Sequence, residues 1–161
     1  MEINKAQFLS RLSEFSKRVA DEGDTTVLGM LHPSVTVGDP DEPSVTLTFP
    51  AMDWEKNAGG VIHGGITALM MDSARGILAF AIAGGMCPTM NLNISYPRPA
   101  PADGTLRVKA KAVMVGRSSL FMSAEMWDLR APEKPVATAS GVFHDLHQPL
   151  FQPVDTAGTL A

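Results

Sequence analysis

The stretch between Asn57 and Asp72 holds residues whose types and spacing are suited to chemistry. The amide of Asn57 and the imidazole of His63 precede a Gly-Gly pair, and one carboxylate, Asp72, follows inside an apolar segment. A carboxylate is a poor helix former and is costly to bury unless something uses its charge. The pattern therefore points to a functional site at the start of a buried helix, with Asp72 as its candidate charged group.

Gly64 and Gly65 come just before the apolar segment and mark the expected start of the helix. The N-terminus of a helix offers unpaired N–H groups and roughly half a positive charge, which stabilise a developing oxyanion. Glycine has no Cβ atom, so a ligand carbonyl can approach its backbone closely. Tight packing of the helix against a strand is the alternative use of such a pair.

The spacing of His63 and Asp72 limits how they can cooperate. A helix that begins near Gly64 would separate them by roughly 180° of rotation and ~13 Å of rise. Their side chains would then point to opposite sides of the helix and could not meet within one chain. Either the two residues have separate tasks, or a second copy of the chain brings its Asp72 to the first copy's His63, as a two-fold dimer would.

Two helices and a series of alternating strands must position these residues. The central helix is predicted from Ile66 to Ala83, where Asp72 and Arg75 are the charged residues. A shorter amphipathic helix is predicted within residues 1–23. Alternation of apolar and polar residues predicts strands at 45–49, 90–96, 106–114, 120–129 and 136–144, and the segment 25–31 is a further candidate.

The central helix is too apolar for a surface position, so the sheet must wrap round it. We therefore expect an α+β fold in which an antiparallel sheet of five to six strands encloses one long apolar helix. The strands after this helix, joined by short turns, suit a meander. The chain is expected to form a single domain over 1–161, with a helix at 1–23 and a loose tail at 148–161.

Composition disfavours several classes of function. A net charge of −4 without any basic run argues against a nucleic-acid surface. Asp72 and Arg75 would each cost about 2.5–3.5 kcal/mol near the centre of a membrane span, which favours a core helix. The chain opens without a signal-peptide pattern, and its single cysteine, Cys87, forms no internal disulfide. We therefore expect a cytoplasmic protein.

These segments resemble the hotdog-fold thioesterases, specifically the phenylacetate-degradation (PaaI-like) group of acyl-CoA thioesterases. The resemblance covers most of the chain and is carried by Asn57, by His63-Gly64-Gly65 and by Asp72 at the family's spacing. The segments Thr89–Tyr96 and Val115–Leu120 follow in the family's order. The resemblance implies the hotdog fold and an enzyme that hydrolyses an acyl-coenzyme A thioester to a free acid and coenzyme A.

The same resemblance implies a role for each residue of the motif. Asp72 would act as the nucleophile or as the general base on water, and it would come from the partner subunit. The Gly64 N–H would donate to the thioester oxygen, while Asn57 and His63 would position the thioester or the attacking water. Thr89 falls where the family usually has a serine or threonine that helps to hold this water.

The resemblance also suggests how the rest of the substrate binds. Gly65, Arg98 and the Gly116-Arg117-Ser118 turn are candidates for contacts with the substrate and its coenzyme A phosphates. Coenzyme A is part of the substrate, so no separate cofactor and no metal are expected. The expected partners are a small-molecule acyl-CoA and further copies of the chain, in a homodimer or a dimer of dimers, with neither nucleic acid nor membrane.

Other interpretations stay open at this level. Asp72 could form a structural ion pair with Arg75, and His63 could simply bond local backbone. A hotdog hydratase or dehydratase, or a non-catalytic acyl-thioester-binding protein, would keep the fold and change the function. A nucleophilic Cys87 has no identifiable base, and the His144-Asp-Leu-His147 spacing lacks the further ligands of a metal site.

Overall fold

The first helix, α1, spans Lys5–Glu22 in the computed structural model, which describes residues 3–150. The Asn4 side chain accepts a hydrogen bond from the Gln7 N–H at 3.0 Å and so caps the helix. Phe8 is fully buried against the core. The amphipathic pattern of this segment thus becomes a helix that lies on the rest of the fold through its apolar face.

The central helix, α2, spans Gly64–Ala83. His63 is its N-cap residue, and Gly84 ends it with a φ of 78°, in the left-handed region that favours glycine. By length and apolar composition α2 could cross a membrane, but 61% of its apolar window is buried inside the fold. This extent of burial is typical of a core helix, which is what the sequence predicts.

In the described part of the chain, six antiparallel strands form one sheet around α2. They are β1 Ser34–Asp39, β2 Ser44–Pro50, β3 Thr89–Ser95, β4 Thr105–Val115, β5 Ser119–Asp128 and β6 Pro135–His144. Their order across the sheet is β1-β2-β4-β5-β6-β3. Alternate residues of β2 (Val45, Leu47 and Phe49) are fully buried, as their spacing predicts. The expected α+β architecture of a sheet round one apolar helix is confirmed.

The position of β3 departs from a simple meander. The strands β4, β5 and β6 pair consecutively, but β3 pairs with β6 at the end of the sheet and not with β4, its neighbour in the chain. The prolines at 97, 99 and 101 separate β3 from β4. Proline cannot donate a ladder hydrogen bond, so this segment cannot form a tight hairpin and instead crosses to the far side of the sheet.

The prediction of a strand at 25–31 is wrong. This region forms two short 3₁₀ turns, Gly23–Thr25 and Gly29–Leu31. The Gly29 N–H donates to Thr26 Oγ1 at 3.0 Å. A Cβ atom on Gly29 would lie 1.6 Å from the carbonyl oxygen of Gly23, so the absence of a side chain lets the turns pack together. Close packing between the turns replaces the strand pairing that the apolar run suggested.

The tail predicted at 148–161 lies largely outside the described residues, which end at 150. The first part of it is attached to the fold. The Met86 N–H donates to the Gln148 carbonyl at 2.8 Å, and the Leu146 N–H donates to the Met86 carbonyl at 3.1 Å. These bonds join the segment after β6 to the loop that follows α2.

Candidate active site

The start of α2 presents one free backbone N–H. His63 Nδ1 accepts a hydrogen bond from the Gly65 N–H at 2.9 Å, and the His63 carbonyl accepts from Ile66 and Thr67 at 2.9 and 3.0 Å. Among the residues that the structure describes, the Gly64 N–H has no partner. An unpaired N–H at a helix N-terminus suits a carbonyl oxygen that gains negative charge. His63 therefore uses its ring as a cap, and Gly64 keeps its donor free.

The loop before α2 fixes the orientation of the Asn57 side chain. Its Oδ1 accepts hydrogen bonds from the N–H groups of Gly59 and Val61 at 2.8 and 3.4 Å. Two backbone donors at one atom identify that atom as the oxygen, so Nδ2 is directed away from the turn. Nδ2 has no acceptor within residues 3–150. The amide of Asn57 can therefore donate to a bound carbonyl.

A buried carboxyl group, which the sequence did not single out, supports this loop. Glu55 is fully buried, its carbonyl accepts the His63 N–H at 2.7 Å, and its Oε2 accepts the Met52 N–H at 3.0 Å. Glu55 Oε1 has no partner in the described part of the chain. Burial raises the pKa of Glu55 above its ordinary value. Nothing in the sequence separates Glu55 from its exposed neighbour Asp53, so its burial was not foreseeable.

A cavity of about 290 Å³ opens beside the free Gly64 N–H. Its lining includes Asn57, Gly64, Thr67, Tyr96 and Arg98. The Tyr96 hydroxyl donates to the Gly64 carbonyl at 3.1 Å, which ties the end of the β3 segment to the start of α2. Tyr96 is the chain's single tyrosine and lies outside the motif that predicts the site. The two residues with an unpartnered donor, Gly64 and Asn57, therefore both line this one cavity.

Asp72 and Thr89 form a second group. The Thr89 hydroxyl lies 3.2 and 3.1 Å from the two carboxylate oxygens of Asp72 and can donate to either. The Asp72 side chain is 33% exposed, so a reacting molecule can reach it. Asp72 lies on α2 and Thr89 begins β3. The structure thus brings together two of the predicted site residues, although they lie on different elements.

The ion pair between Asp72 and Arg75 is also present. Arg75 Nη2 lies 3.3 Å from Asp72 Oδ1, and Arg75 Nε donates to the Met71 carbonyl at 3.1 Å. The guanidinium is fully buried and lies 5.7 Å from the centre of the Phe143 ring. Burial lowers the pKa of Arg75, and the Asp72 carboxylate opposes that shift. Asp72 therefore neutralises a buried cation through one oxygen while its carboxylate stays accessible.

The second cavity, about 280 Å³, begins at Asp72 and Thr89 and continues over apolar side chains. It has no lining residue in common with the cavity beside Gly64. Within one chain, the predicted site residues therefore fall into two groups. Asn57, His63 and Gly64 lie at the start of α2, and Asp72 and Thr89 lie farther along it. This separation is the one that the nine-residue spacing of His63 and Asp72 predicts.

The residues predicted to contact coenzyme A also lie in two separate places. Arg98 Nη1 donates to the Pro135 carbonyl at 2.9 Å, at the first residue of β6. The Ser118 carbonyl accepts the Asp145 N–H at 2.9 Å, just after the last residue of β6. Arg98 and the Gly116-Arg117-Ser118 turn therefore lie at opposite ends of a strand, and the two cannot contact one phosphate group of the same molecule within a single chain. Gly65 is exposed beside His63.

The alternative reactive groups have little support. Burial, together with Asp145, raises the pKa of the Cys87 thiol to about 12, so Cys87 is protonated at neutral pH and unsuited to nucleophilic attack. His147 Nδ1 lies 3.1 Å from Asp145 Oδ2. Within residues 3–150 no group of three or more His, Cys, Asp or Glu side chains could hold a metal ion.

Known proteins that are similar to this chain are thioesterases or esterases. A family model of the thioesterase superfamily matches residues 59–133. A Halobacterium salinarum protein named as an esterase is 32% identical over an alignment of 142 positions, which covers 79% of this chain and 89% of that protein. The acyl-CoA thioester hydrolase YciA of Escherichia coli K12 is 30% identical over 92 residues, with 56% of this chain and 67% of YciA covered.

Solved structures of similar proteins have the same fold. A phenylacetic acid degradation-related protein from Ralstonia eutropha JMP134 is 31% identical, with a TM-score of 0.70 over 81% of this chain and 98% of that one. The PaaI protein of the Escherichia coli phenylacetic acid degradation operon is 19% identical, with a TM-score of 0.72 over 85% and 94% of the two chains, and it shares the fold. The sheet wrapped round α2 is thus a hotdog fold, and the chain belongs to the thioesterase superfamily.

Proposed function

We propose that this thioester hydrolase is an acyl-CoA thioesterase that releases a free acid and coenzyme A. The observation that carries the proposal is the pair of free donors, the Gly64 N–H and the Asn57 amide, at one cavity of a chain that also presents an accessible carboxylate, Asp72. The relative YciA is named an acyl-CoA thioester hydrolase. Structural neighbours from Streptococcus pneumoniae and Streptococcus mutans were solved with coenzyme A and acetyl-CoA.

The two donors stabilise the charge that develops on the thioester oxygen. As a nucleophile adds to the carbonyl carbon, negative charge moves onto that oxygen. The Gly64 N–H, at the positive end of α2, and Asn57 Nδ2 are already held in place, so they bind this oxyanion without reorganising. Loss of one such donor typically costs about 10²–10³ in rate. We propose that the reaction proceeds without a metal or a prosthetic group.

Asp72 supplies the attack, with Thr89 beside it. In one route the carboxylate takes a proton from water as the water oxygen adds to the thioester carbon. The C–S bond then breaks, and the sulfur of coenzyme A receives the proton. In the other route Asp72 itself adds and expels the thiolate, and water then hydrolyses the anhydride. In both, the Thr89 hydroxyl orients the carboxylate or the water, at 3.1–3.2 Å from Asp72.

The proposed site is shared between two subunits. Each chain carries the donors and the carboxylate in separate cavities, and a two-fold dimer can bring the donors of one subunit to Asp72 of the other. The edge strand β3 offers a surface for this contact, because its outer side is unpaired among residues 3–150 and its large side chains Met90 and Leu92 are 67% and 37% exposed. Thr89 and Tyr96, at the two ends of this segment, belong to the two groups of site residues.

The first experiment is to measure thiol release from phenylacetyl-, benzoyl- and straight-chain acyl-CoAs by the wild type and by Asp72→Asn. The variant keeps an oxygen that can accept from Arg75 and Thr89 but loses the charge that neutralises Arg75. We therefore expect it to be less stable than wild type, and its activity is compared at a temperature where circular dichroism shows that both proteins are folded. We expect its kcat to fall by about 10²–10⁴, the usual contribution of a positioned acid or base.

Three other results would contradict the proposed mechanism or function. Near-normal turnover by the folded Asp72→Asn variant would remove this carboxylate from the mechanism. Tight binding of acyl-CoA without thiol release would identify a non-catalytic binding protein. Addition or loss of water on an unsaturated or hydroxylated acyl chain, with the thioester intact, would identify a hydratase or dehydratase.

A further inference from the structure

The apolar cavity beside Asp72 follows one face of α2. Its α2 residues are Asp72, Ser73, Gly76, Ile77 and Phe80, a spacing that repeats with each helical turn. From Asp72 to Phe80 the helix advances about 12 Å. The polar groups of the lining, at Asp72, Ser73 and Thr89, are at one end of this stretch. An apolar channel therefore leads away from the carboxylate along the helix.

Helix α1 contributes one residue, Phe15, to the lining at the far end of this channel, beside Phe80. Phe15 of α1 and Phe80 of α2 both line the cavity, and their rings pack with centroids 6.0 Å apart at an angle of 48°. Leu28, in the segment after α1, lines the same region. Apart from Asp72, Ser73, Thr89 and the weakly polar thiol of Cys87, the described side chains of the lining are apolar. The end wall is thus made by aromatic and aliphatic groups that suit a hydrocarbon chain.

The position of Phe15 is fixed by contacts on the preceding turn of α1. Arg11 Nη1 donates to the carbonyls of Ala81 and Ile82 at 3.1 and 2.9 Å, at the end of α2 where helical carbonyls lack partners. Leu12 is buried in the core. Because both contacts are within one turn of Phe15, its ring is held against α2 and does not swing freely into solvent.

We infer that this cavity holds the acyl chain and that Phe15 sets the longest chain it accepts. The inference rests on the proposed thioesterase function. With C–C bonds of about 1.5 Å, an extended chain advances about 1.25 Å per carbon, so the ~12 Å channel holds about eight to ten carbons. The substrate class is therefore a medium-chain acyl-CoA, and longer chains meet the Phe15–Phe80 pair.

The test compares wild type, Phe15→Ala and Phe15→Trp on a series from butanoyl- to hexadecanoyl-CoA. We expect wild-type kcat/KM to rise up to octanoyl or decanoyl and to fall for longer chains. Phe15→Ala should move the optimum to longer chains and raise kcat/KM on tetradecanoyl-CoA by about tenfold or more, in line with the 10–200-fold value of a well-placed methylene. Phe15→Trp should move the optimum to shorter chains.

Leu9→Ala is the matched control, because Leu9 lies on α1, is 48% exposed and does not line the cavity. It should leave the chain-length profile unchanged. If Phe15→Ala does not fold, as judged by circular dichroism, Phe15→Leu takes its place. Turnover with the same length profile in wild type and all Phe15 variants would overturn the inference and leave the thioesterase proposal standing.

Absence of turnover on every substrate would instead contradict the proposed function. The cavity would then be tested by calorimetric binding of non-hydrolysable thioether analogues of the same acyl-CoAs. A shift of the preferred length between wild type and Phe15→Ala would still support the acyl cavity. Equal affinities across the series would contradict it.

Discussion

The Asp72 carboxylate contacts two side chains, Arg75 and Thr89, in different environments. Arg75 is fully buried, and a buried guanidinium without a nearby negative charge is strongly destabilising. Thr89 lies on the exposed side of the same carboxylate. Structural and catalytic interpretations of Asp72 are therefore compatible, because one oxygen contacts the buried cation while the group as a whole remains accessible.

Glu55 gives a prediction that depends on pH. Its pKa is raised above 4.5 by burial, so the folded protein keeps a proton that the unfolded chain releases as pH increases past that value. The free energy of unfolding should therefore decrease from about pH 4.5 towards the folded-state pKa. Glu55→Gln cannot titrate, so its stability relative to wild type should increase over the same range. Urea unfolding at several pH values measures this difference.

Glu14→Gln is the control for this experiment, because Glu14 is an exposed carboxylate on α1. Any pH trend that it shares with Glu55→Gln arises from the loss of a carboxylate and not from burial. Parallel pH–stability curves for wild type and Glu55→Gln would contradict the assignment of a raised pKa to Glu55.

At the scale of elements, Gly64 and Gly65 at the start of α2 have different roles. A Cβ atom on Gly64 would lie 3.8 Å from the Tyr96 ring, an ordinary contact, whereas on Gly65 it would lie 3.1 Å from His63 Nδ1. Gly65→Ala must therefore displace the capping imidazole, and Gly64→Ala need displace nothing. Both substitutions replace glycine by alanine and so gain the same helix propensity. The difference between their stabilities therefore measures the contribution of the His63 cap.

We expect Gly65→Ala to be less stable than Gly64→Ala by about 1 kcal/mol, the usual value of an N-cap. Gly64→Ala should instead lower kcat/KM, by about 10²-fold if its methyl misplaces the thioester by an ångström. Thermal unfolding and thiol release on both proteins measure these effects. Equal stabilities, or full activity of Gly64→Ala, would contradict the division of roles.

The same elements show what the sequence could predict. The start of α2 and the alternation along β2 are local patterns, and the structure has them where the sequence placed them. The pairing of β3 with β6 depends on residues about fifty positions apart, for which alternation gives no partner. The segment 25–31 was misassigned because contact between two glycine-containing turns, and not local periodicity, determines its conformation.

Within the candidate site, the residue types were predictable and their contacts were not. The resemblance supplied Asn57, Gly64, Asp72 and Thr89. Only the structure shows that His63 occupies the Gly65 N–H and leaves the Gly64 N–H free among the described residues. Hydrogen-bond partners of this kind follow from the path of the backbone, which spacing alone does not define.

At the scale of the whole molecule, the division of the site residues predicts complementation between subunits. Asp72→Asn and Asn57→Ala should each be nearly inactive alone. When the two are unfolded together and refolded in equal amounts, half of the dimers are mixed, and each mixed dimer has one intact site of two. Activity should therefore recover to about a quarter of the wild-type value, as two-fold symmetry requires.

Each variant refolded alone provides the control for subunit mixing, and differently tagged subunits verify that mixed dimers form. No recovery in verified mixed dimers would mean that both groups of residues act within one chain. Recovery far above a quarter would indicate preferential pairing of unlike subunits.

The open edge at β3 also has a consequence for biosynthesis. A newly folded chain presents unpaired backbone groups beside the exposed side chains of Met90 and Leu92, and such an edge is a template for uncontrolled strand addition. In the proposed dimer, specific assembly and aggregation compete for the same strand. The soluble yield of this protein should therefore depend on how fast nascent chains find each other. Leu92→Lys, which places a charge on the edge strand, should reduce aggregation and should also weaken the proposed dimer, without changing the core.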